Sequence, residues 1–280
     1  MKNMLAAFFL ALPVVAGRRR LSDGLDVSNH TIVAAYVQQF AADRVSTIRF
    51  KDVGNPVADA AFVKEDPRAI WRLSSNSLKV GIKEEGFPEY DNMKSPVEWL
   101  YATVAAWTDH LKCATPEVDI AVLDSTPGVV ENIVATGNVD YGLVQADLVQ
   151  VGFRGAEVFP PRAPWLAYCW TFVWEDENGV PTDIDGDGRV DVAFREIYYN
   201  TRFQWSDLDD VPEGHVDFPT IALHEFGHGL GLEHFGTTFE DEDGGLHAHP
   251  RAAMNPVYDG MLREPTGRDK GAYCNAWASW

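Results

Sequence analysis

Cysteine is scarce in this chain and basic residues are outnumbered, and both shortages limit what the protein can do. The three cysteines, Cys113, Cys169 and Cys274, lie far apart and none belongs to a C-x-x-C pair, so the sequence does not favour a cysteine-based metal site. Lys and Arg number 23 against 42 Asp and Glu, which gives the 280 residues a formal net charge of −19. Such a surface repels nucleic acid and anionic membranes and suits the binding of cations.

The chain also lacks internal repeats and low-complexity tracts, and its N-terminal apolar run is short. The apolar run from Met4 to Val15 follows Lys2 and is too short to cross a bilayer. Small residues up to Ala16 then offer a cleavage site. This pattern predicts a secretory signal over residues 1–16, with an ordinary buried N-terminal helix as the alternative. We therefore expect a secreted or periplasmic protein without stable membrane association. The sequence does not indicate its oligomeric state.

An oxidising compartment would allow two of the three cysteines to form a disulfide and leave one free. Sequence does not say which two would pair. Equally, all three could be small buried residues in the core.

The most informative stretch runs from Leu223 to His234. On a helix, His224 and His228 lie about 40° apart on one face, one turn above each other, so two imidazoles can share a metal ion. Gly231 can take a positive φ that ends the helix and brings His234 round as a third ligand. Three neutral imidazoles leave zinc its full charge and an open fourth position for water. The alternative is an amphipathic helix whose histidines are satisfied in a core.

A methionine follows this stretch at a suitable distance. Met254 lies in the sequence Ala-Met-Asn-Pro, about twenty residues after His234. A single methionine before a turn is usually a core residue, but after such a helix it indicates a hydrophobic floor beneath the metal ligands. The extended histidine motif and this methionine turn together resemble the metzincin zinc metallopeptidases.

The approach to the histidine motif narrows the resemblance. Glu196 to Asn200, Trp205 and Val216 to Ala222 are similar to the matrixin branch, of the bacterial type. The resemblance covers roughly residues 70–280 and implies a zinc-dependent endopeptidase that acts on proteins or peptides. It implies that His224, His228 and His234 are the zinc ligands and that Glu225 is the general base. Gly231 and Met254 would be structural residues.

The resemblance also implies where a substrate lies. Tyr168 to Trp174 would be the edge strand with which an extended peptide pairs. Asn255 to Asp259 would form one wall of the pocket for the residue after the cleaved bond.

Apolar alternation and helical spacing predict the order of elements. The sequence indicates a strand, a long helix, four strands, the histidine-bearing helix and a last helix from about Thr266, with the strands at Leu78–Ile82, Val118–Leu123, Leu143–Phe153, Tyr168–Trp174 and Val190–Asn200. The long helix starts at Ser95-Pro96 and runs to about His110. Together with the resemblance, this order implies an α+β, metzincin-like fold. Its mostly parallel, twisted five-stranded sheet carries a packing helix, an active-site helix and a C-terminal helix after the methionine turn.

The expected domain organisation has three parts, which are residues 1–16 as signal, 17–70 as a propeptide or N-terminal extension, and 71–280 as the catalytic domain. Within the second part, Thr31 to Ala42 has a helical spacing of apolar residues. Because residues 17–70 contain no cysteine, a cysteine from this segment cannot block the metal.

An acidic loop precedes the last predicted strand. Its pattern matches the first nine positions of a calcium loop, with side-chain or backbone oxygens from Asp183, Asp185, Asp187, Arg189 (through its carbonyl) and Asp191. Position 12 is Phe194, and a strand follows, so the loop is not an EF-hand. We interpret it as a structural calcium site; the alternative is a solvated acidic turn.

Three functions remain open at this point. The first is a secreted zinc endopeptidase in which Glu225 acts as general base. The second is a catalytically silent, zinc- and calcium-binding extracellular interaction protein on the same scaffold, although an intact Glu225 speaks against it. The third is a zinc hydrolase that acts on a non-peptide bond.

Overall fold

The computed structural model describes residues 31–41, 60–109, 113, 116–124, 126–159, 165–241, 245–278 and 280, the first of these ranges by its backbone alone. The predicted signal and much of the 17–70 segment lie outside the described residues. Within them the fold is α+β, with a large, mostly parallel sheet and four helices. The elements are β1 (Thr31–Ala41), β2 (Ala60–Ala61), β3 (Ser77–Ile82), α1 (Pro96–Thr108), β4 (Glu117–Val122), α2 (Val129–Thr136), β5 (Leu148–Arg154), β6 (Trp165–Glu175), β7 (Val190–Asn200), β8 (Gln204–Ser206), β9 (His215–Asp217), α3 (Phe218–Gly229), β10 (Thr237–Glu240), β11 (Leu246–His249) and α4 (Gly267–Ala276).

The main sheet has the strand order β1-β6-β7-β5-β3-β4, and the short β2 pairs with β7. Strands β4, β3, β5 and β7 are parallel, whereas β6 is antiparallel to both β1 and β7. Parallel neighbours require crossover connections, which α1 and α2 supply on either side of β4. The predicted mostly parallel sheet is confirmed. The predicted number of five strands is wrong, because β1 and β2 extend the sheet to seven among the described residues.

The segment from Thr31 to Ala42, predicted as a helix, contains strand β1 instead. Its apolar residues recur at a helical spacing, yet its first half is rich in β-branched residues, which favour strands. Pairing with β6 along the whole of β1 satisfies backbone hydrogen bonds that the sequence cannot reveal. The long-range contact therefore overrides the local period.

Helices α1 and α4 begin where the sequence predicts. Pro96 occupies the first turn of α1, and Thr266 caps α4, with the Asp269 carboxylate accepting from the Thr266 amide at 2.7 Å. The sequence pattern does not predict helix α2. Its first amides, at Val129 and Val130, donate to the Glu196 carboxylate on β7 at 2.8 and 3.0 Å. A distant strand thus caps the first amides of this helix, and the Glu131 carboxylate adds a local cap by accepting from the Gly128 amide at 2.7 Å.

The sheet has a hydrophobic cluster on each face. On β6, Cys169 and Val173 belong to the cluster that contains α1, α3 and α4, while Tyr168 and Phe172 belong to the cluster around α2. Alternate residues of a strand point to opposite faces. Both clusters exclude water from β6, and the first cluster surrounds the histidine-bearing helix.

The part of the N-terminal segment from Ala60 onward packs into this unit. Phe62 is buried and stacks on Trp277 at the end of α4, with ring centroids 6.4 Å apart. Arg68 is buried and pairs with Asp66 and Asp191, both at 2.8 Å. These contacts tie residues 60–70 to β7 and to the C-terminal helix.

The cysteines resolve the alternatives that the sequence leaves open. Cys113 and Cys274 form a disulfide that joins the chain after α1 to α4, and Cys169 is buried with a free thiol. Among the helices of the described ranges, none has both the length and the apolar content that crossing a bilayer requires.

Candidate metal centre

Helix α3 forms in the centre of the molecule. Asp217 caps it by accepting from the Thr220 amide at 3.1 Å, and Pro219 lies in the first turn, where its missing N–H costs nothing. Every residue of α3 is buried. A helix buried all round needs an apolar surface, so the polar side chains of His224, Glu225 and His228 stand out within it.

The first two histidines have a defined proton position. His224 Nδ1 lies 2.6 Å from the carbonyl oxygen of Ala253, and His228 Nδ1 lies 2.7 Å from that of Leu232. A carbonyl only accepts hydrogen bonds, so each Nδ1 must carry the proton. The lone pair of each neutral ring is then on Nε2, which is the arrangement that a metal ligand requires.

A glycine turn brings the third histidine to the first two. Gly231 has φ +86°, its amide donates to the His228 carbonyl, and the Leu232 amide donates to the Gly227 carbonyl. These two bonds with a left-handed glycine constitute a Schellman motif, which satisfies the carbonyls at a helix end. The turn returns the chain so that His234 faces α3, as the sequence predicts.

The three rings converge on one point. His228 Nε2 and His234 Nε2 are 3.2 Å apart, and one ligand atom from each histidine lies within 4.8 Å of the others. Two nitrogens at the usual zinc distance and a tetrahedral angle are separated by about 3.3 Å. The structure therefore brings His224, His228 and His234 together at the spacing of a zinc site.

Electrostatics at the centre favour a cation over protons. Burial lowers the pKa of His224 and His228 well below the usual value, and repulsion from the neighbouring rings lowers both further. Burial lowers the pKa of His234 to about 4. The rings are thus neutral near pH 7, which leaves their lone pairs available to a metal.

Glu225 provides an independent test of this fit. Its side chain is fully buried, and neither carboxylate oxygen has a hydrogen-bond partner among the described residues. Burial raises its pKa well above the usual value. A buried carboxylate without a partner is costly, and a divalent ion with its water beside the three histidines would supply the missing charge and donor. The residues present therefore fit zinc.

Met254 lies beneath α3. A Cβ built on Gly227 would come within 2.3 Å of Met254 Sδ, so the glycine is what lets this side chain pack against the helix. The Met254 turn is fixed by Asp269, whose carboxylate accepts from the amides of Ala253 and Met254 at 2.9 and 3.1 Å. Since Ala253 also accepts from His224, Asp269 indirectly orients a histidine. The sequence predicts Asp269 only as a capping residue of α4.

Arg195 is a second residue that sequence reasoning missed. Its guanidinium is fully buried and donates to Gly229 at the end of α3, to Ala60 in β2 and to Thr171 in β6. Among the described residues no carboxylate lies within ion-pair distance of it. A positive side chain at a helix C-terminus complements the helix dipole, so Arg195 supports the turn toward His234.

The acidic loop brings together three of its four predicted carboxylate ligands. Oxygen atoms of Asp183, Asp185 and Asp187 lie within 4.8 Å of one another on the surface. Asp191 is outside this group, and its buried carboxylate accepts from Arg68, Thr182 and the Ile184 amide. The amide and the guanidinium of Arg189 both donate to Asp187 at 2.8 Å.

Tyr168 to Trp174, predicted as an edge strand, is not at an edge. It lies within β6, which has β7 on one side and β1 on the other. The prediction is wrong because β1 pairs with the outer side of β6. Asn255 to Asp259 remains a predicted wall of the substrate pocket. The Asn255 side chain joins this segment to the Phe235 carbonyl by donating at 2.8 Å.

Comparison of the chain with models of known protein families and with curated protein sequences finds no match. The functional reading of the centre therefore depends on its geometry and on the residues themselves.

Proposed function

We propose that this protein is a zinc-dependent endopeptidase. The observation that carries the proposal is the convergence of three neutral imidazoles on one point beside a buried, unpartnered carboxylate. The spacing of His228 and His234, 3.2 Å between Nε2 atoms, suits a tetrahedral ion with an open position. The α+β fold and the Met254 turn agree with the resemblance to metzincins, which the sequence motif suggests.

His224, His228 and His234 would hold the ion, and bound zinc would lower the pKa of a water and polarise the scissile carbonyl. Glu225 is the general base. Its carboxylate takes one proton from the attacking water as the new C–O bond forms, and then delivers that proton to the amine nitrogen as the C–N bond breaks. The carbonyls of Ala253 and Leu232 fix the ring orientations, so the ligands are preorganised.

The remaining parts of the proposal concern calcium and location. Asp183, Asp185 and Asp187 are proposed to bind a structural Ca2+, because three close carboxylates repel one another and Ca2+ prefers hard oxygen ligands. A secreted or periplasmic location is proposed from the sequence of residues 1–16. The Cys113–Cys274 disulfide agrees with it, since such bonds persist in oxidising compartments.

Metal content and hydrolysis of casein by the purified full chain, with and without added zinc, test the proposal. Glu225→Gln should keep one zinc per chain and lose roughly 10²- to 10⁴-fold in rate. Glu117→Gln, at an exposed carboxylate in β4, is the matched control and should be unchanged. Full activity of Glu225→Gln would show that the base is misassigned. Stoichiometric zinc without any hydrolysis would support the silent binding protein instead.

A further inference from the structure

Strand β1 covers the outer side of β6 along its entire length. The antiparallel register runs from Thr31 opposite Glu175 to Ala41 opposite Trp165, with irregularities near Tyr36 and at the end of β1. It is the longest strand pairing of the sheet among the described residues, and that between β6 and β7 is the next longest. Without β1, the backbone N–H and C=O groups on this side of β6 would form an unpaired sheet edge.

This covered edge lies beside the candidate metal centre. Helix α3 contacts both β6 and β1, and Arg195 links Thr171 of β6 to Gly229 at the end of α3. Cys169 of β6 is buried in the cluster that also contains Phe226 of α3. A polypeptide paired with β6 therefore runs alongside the helix that carries Glu225.

A protease that cleaves within a chain must hold that chain extended next to its catalytic groups. Addition of an extended segment to a sheet edge provides this through main-chain hydrogen bonds, with little dependence on sequence. The sheet edge that β1 occupies is in contact with α3, the helix that carries Glu225. One side of a strand pairs with only one partner, so β1 and a peptide substrate exclude each other there.

Building on the zinc endopeptidase function above, we propose that β1 is an intramolecular competitor for the substrate strand. The chain holds its own segment 31–41 in the substrate position, and hydrolysis occurs only from conformations in which β1 has left β6. Because β1 is tethered to the same chain, its effective concentration is on the order of millimolar, which a substrate at micromolar concentration does not match. Self-inhibition here needs no cysteine, and residues 17–70 contain none.

The sheet register itself supplies a reversible lock. Gln38 is the partner of Cys169, and directly opposed residues of an antiparallel pair lie at disulfide distance. In full-length Gln38→Cys, an oxidant should cross-link position 38 to Cys169, which peptide mapping verifies. The oxidised protein should lose the casein hydrolysis that its reduced form shows. Wild type and Gln38→Ser with the same treatments control for reduction of the Cys113–Cys274 disulfide.

A second variant should act in the opposite direction. Val37→Pro removes a backbone N–H inside β1 and disfavours the strand, so it should raise the rate of casein hydrolysis by roughly tenfold. Val27→Pro, which precedes β1, is the matched control and should leave the rate unchanged. A spectroscopic or mass measurement of bound zinc should be the same for both variants, because the metal ligands are untouched.

Three results would overturn this proposal. They are full activity of the cross-linked protein, failure of position 38 to cross-link with Cys169, and a Val37→Pro rate equal to or below that of the wild type. Failure of the endopeptidase function itself looks different. In that case no form, including reduced Gln38→Cys and Val37→Pro, would hydrolyse casein in a zinc-dependent way.

Discussion

The guanidinium of Arg195 donates a hydrogen bond of 2.8 Å to the carbonyl oxygen of Gly229, the last residue of α3. Gly231 turns the chain two residues later, and its position lies against the same guanidinium. We therefore expect Arg195→Met to weaken zinc binding by roughly 10- to 100-fold, as the loss of supporting partners at metal sites commonly does. Competition with a chromogenic chelator would measure the dissociation constant.

The direction of the change in zinc affinity shows whether Arg195 acts mainly by supporting the histidine turn or by repelling the cation. The positive charge of Arg195 also lowers the pKa of His228, so removing the charge alone would favour a cation. Weaker zinc binding by Arg195→Met thus indicates lost support, whereas equal or tighter binding contradicts it. Arg72→Met is the matched control, because the buried side chain of Arg72 pairs with Asp147 and donates to the Val63 carbonyl, both outside α3. It should lower stability and leave zinc affinity unchanged.

The sequence reveals the histidine centre because its determinants are local. His224 and His228 are one helical turn apart, and Gly231 and His234 follow in the turn just after the helix ends. The side chains that support the centre are not local. Arg195 lies 34 residues before Gly229, and Asp269 lies 15 residues after Met254, so no spacing rule connects them.

The acidic loop and β1 show the same limit in different ways. The calcium-loop pattern groups Asp191 with the other aspartates, but Arg68, more than a hundred residues earlier, pairs with it instead. The local spacing of apolar residues predicts a helix in the segment from Thr31, but pairing with β6 makes it strand β1. In both cases a distant partner decides the structure, and the local sequence pattern does not show which partner that is.

Calcium should stabilise the protein through the Asp183, Asp185 and Asp187 group. Burial and repulsion from neighbouring carboxylates raise the pKa of Asp185, so this charge is unfavourable until a cation compensates it. At 100 times its dissociation constant, Ca2+ should add about 2.7 kcal/mol to the free energy of unfolding. Thermal melts with and without Ca2+ would show this as a higher Tm.

The double variant Asp183→Asn with Asp185→Asn should lose the calcium-dependent rise in Tm. In calcium-free buffer at pH 7, Asp185→Asn should not lower the Tm, since it removes a repelled charge. The exposed Asp91, changed to Asn, is the control and should keep the full calcium effect. If Ca2+ raised the Tm of the wild type and the double variant equally, it would bind at another site. If it changed neither Tm, the protein would not bind calcium in a stabilising way.

The disulfide should contribute substantially to stability. Cys113 and Cys274 are 161 residues apart in sequence, so their bond restricts the unfolded chain strongly. Replacing both by serine should lower the free energy of unfolding by about 2 to 4 kcal/mol in urea titrations. Reductant should destabilise the wild type and the Cys169→Ala variant, and it should leave the double serine variant unchanged. Insensitivity of the wild type to reductant would contradict the bond.

His247 should make stability depend on pH. Its Nε2 lies 2.8 Å from Asp241 and its Nδ1 lies 2.9 Å from Asp259, so the ring joins the β10–β11 hairpin to the segment after Met254. Hydrogen bonds to Asp241 and then Asp259 raise the pKa of His247 above 6.5. The protonated ring therefore binds both carboxylates more strongly in the folded than in the unfolded protein.

Because the pKa of His247 is raised in the folded protein, its contribution to stability should decrease as the pH rises. The stabilisation is fully present below the unfolded pKa of about 6.5 and is lost as pH rises through the higher folded pKa. His247→Gln should therefore lower the Tm most at pH 5.5 and least at pH 9, and added salt should reduce the difference because the site is partly exposed. His249→Gln, at an exposed residue of the same strand, should show no such trend. A difference between wild type and His247→Gln that stays constant from pH 5.5 to 9 would mean that the ring contributes by packing and not by its charge.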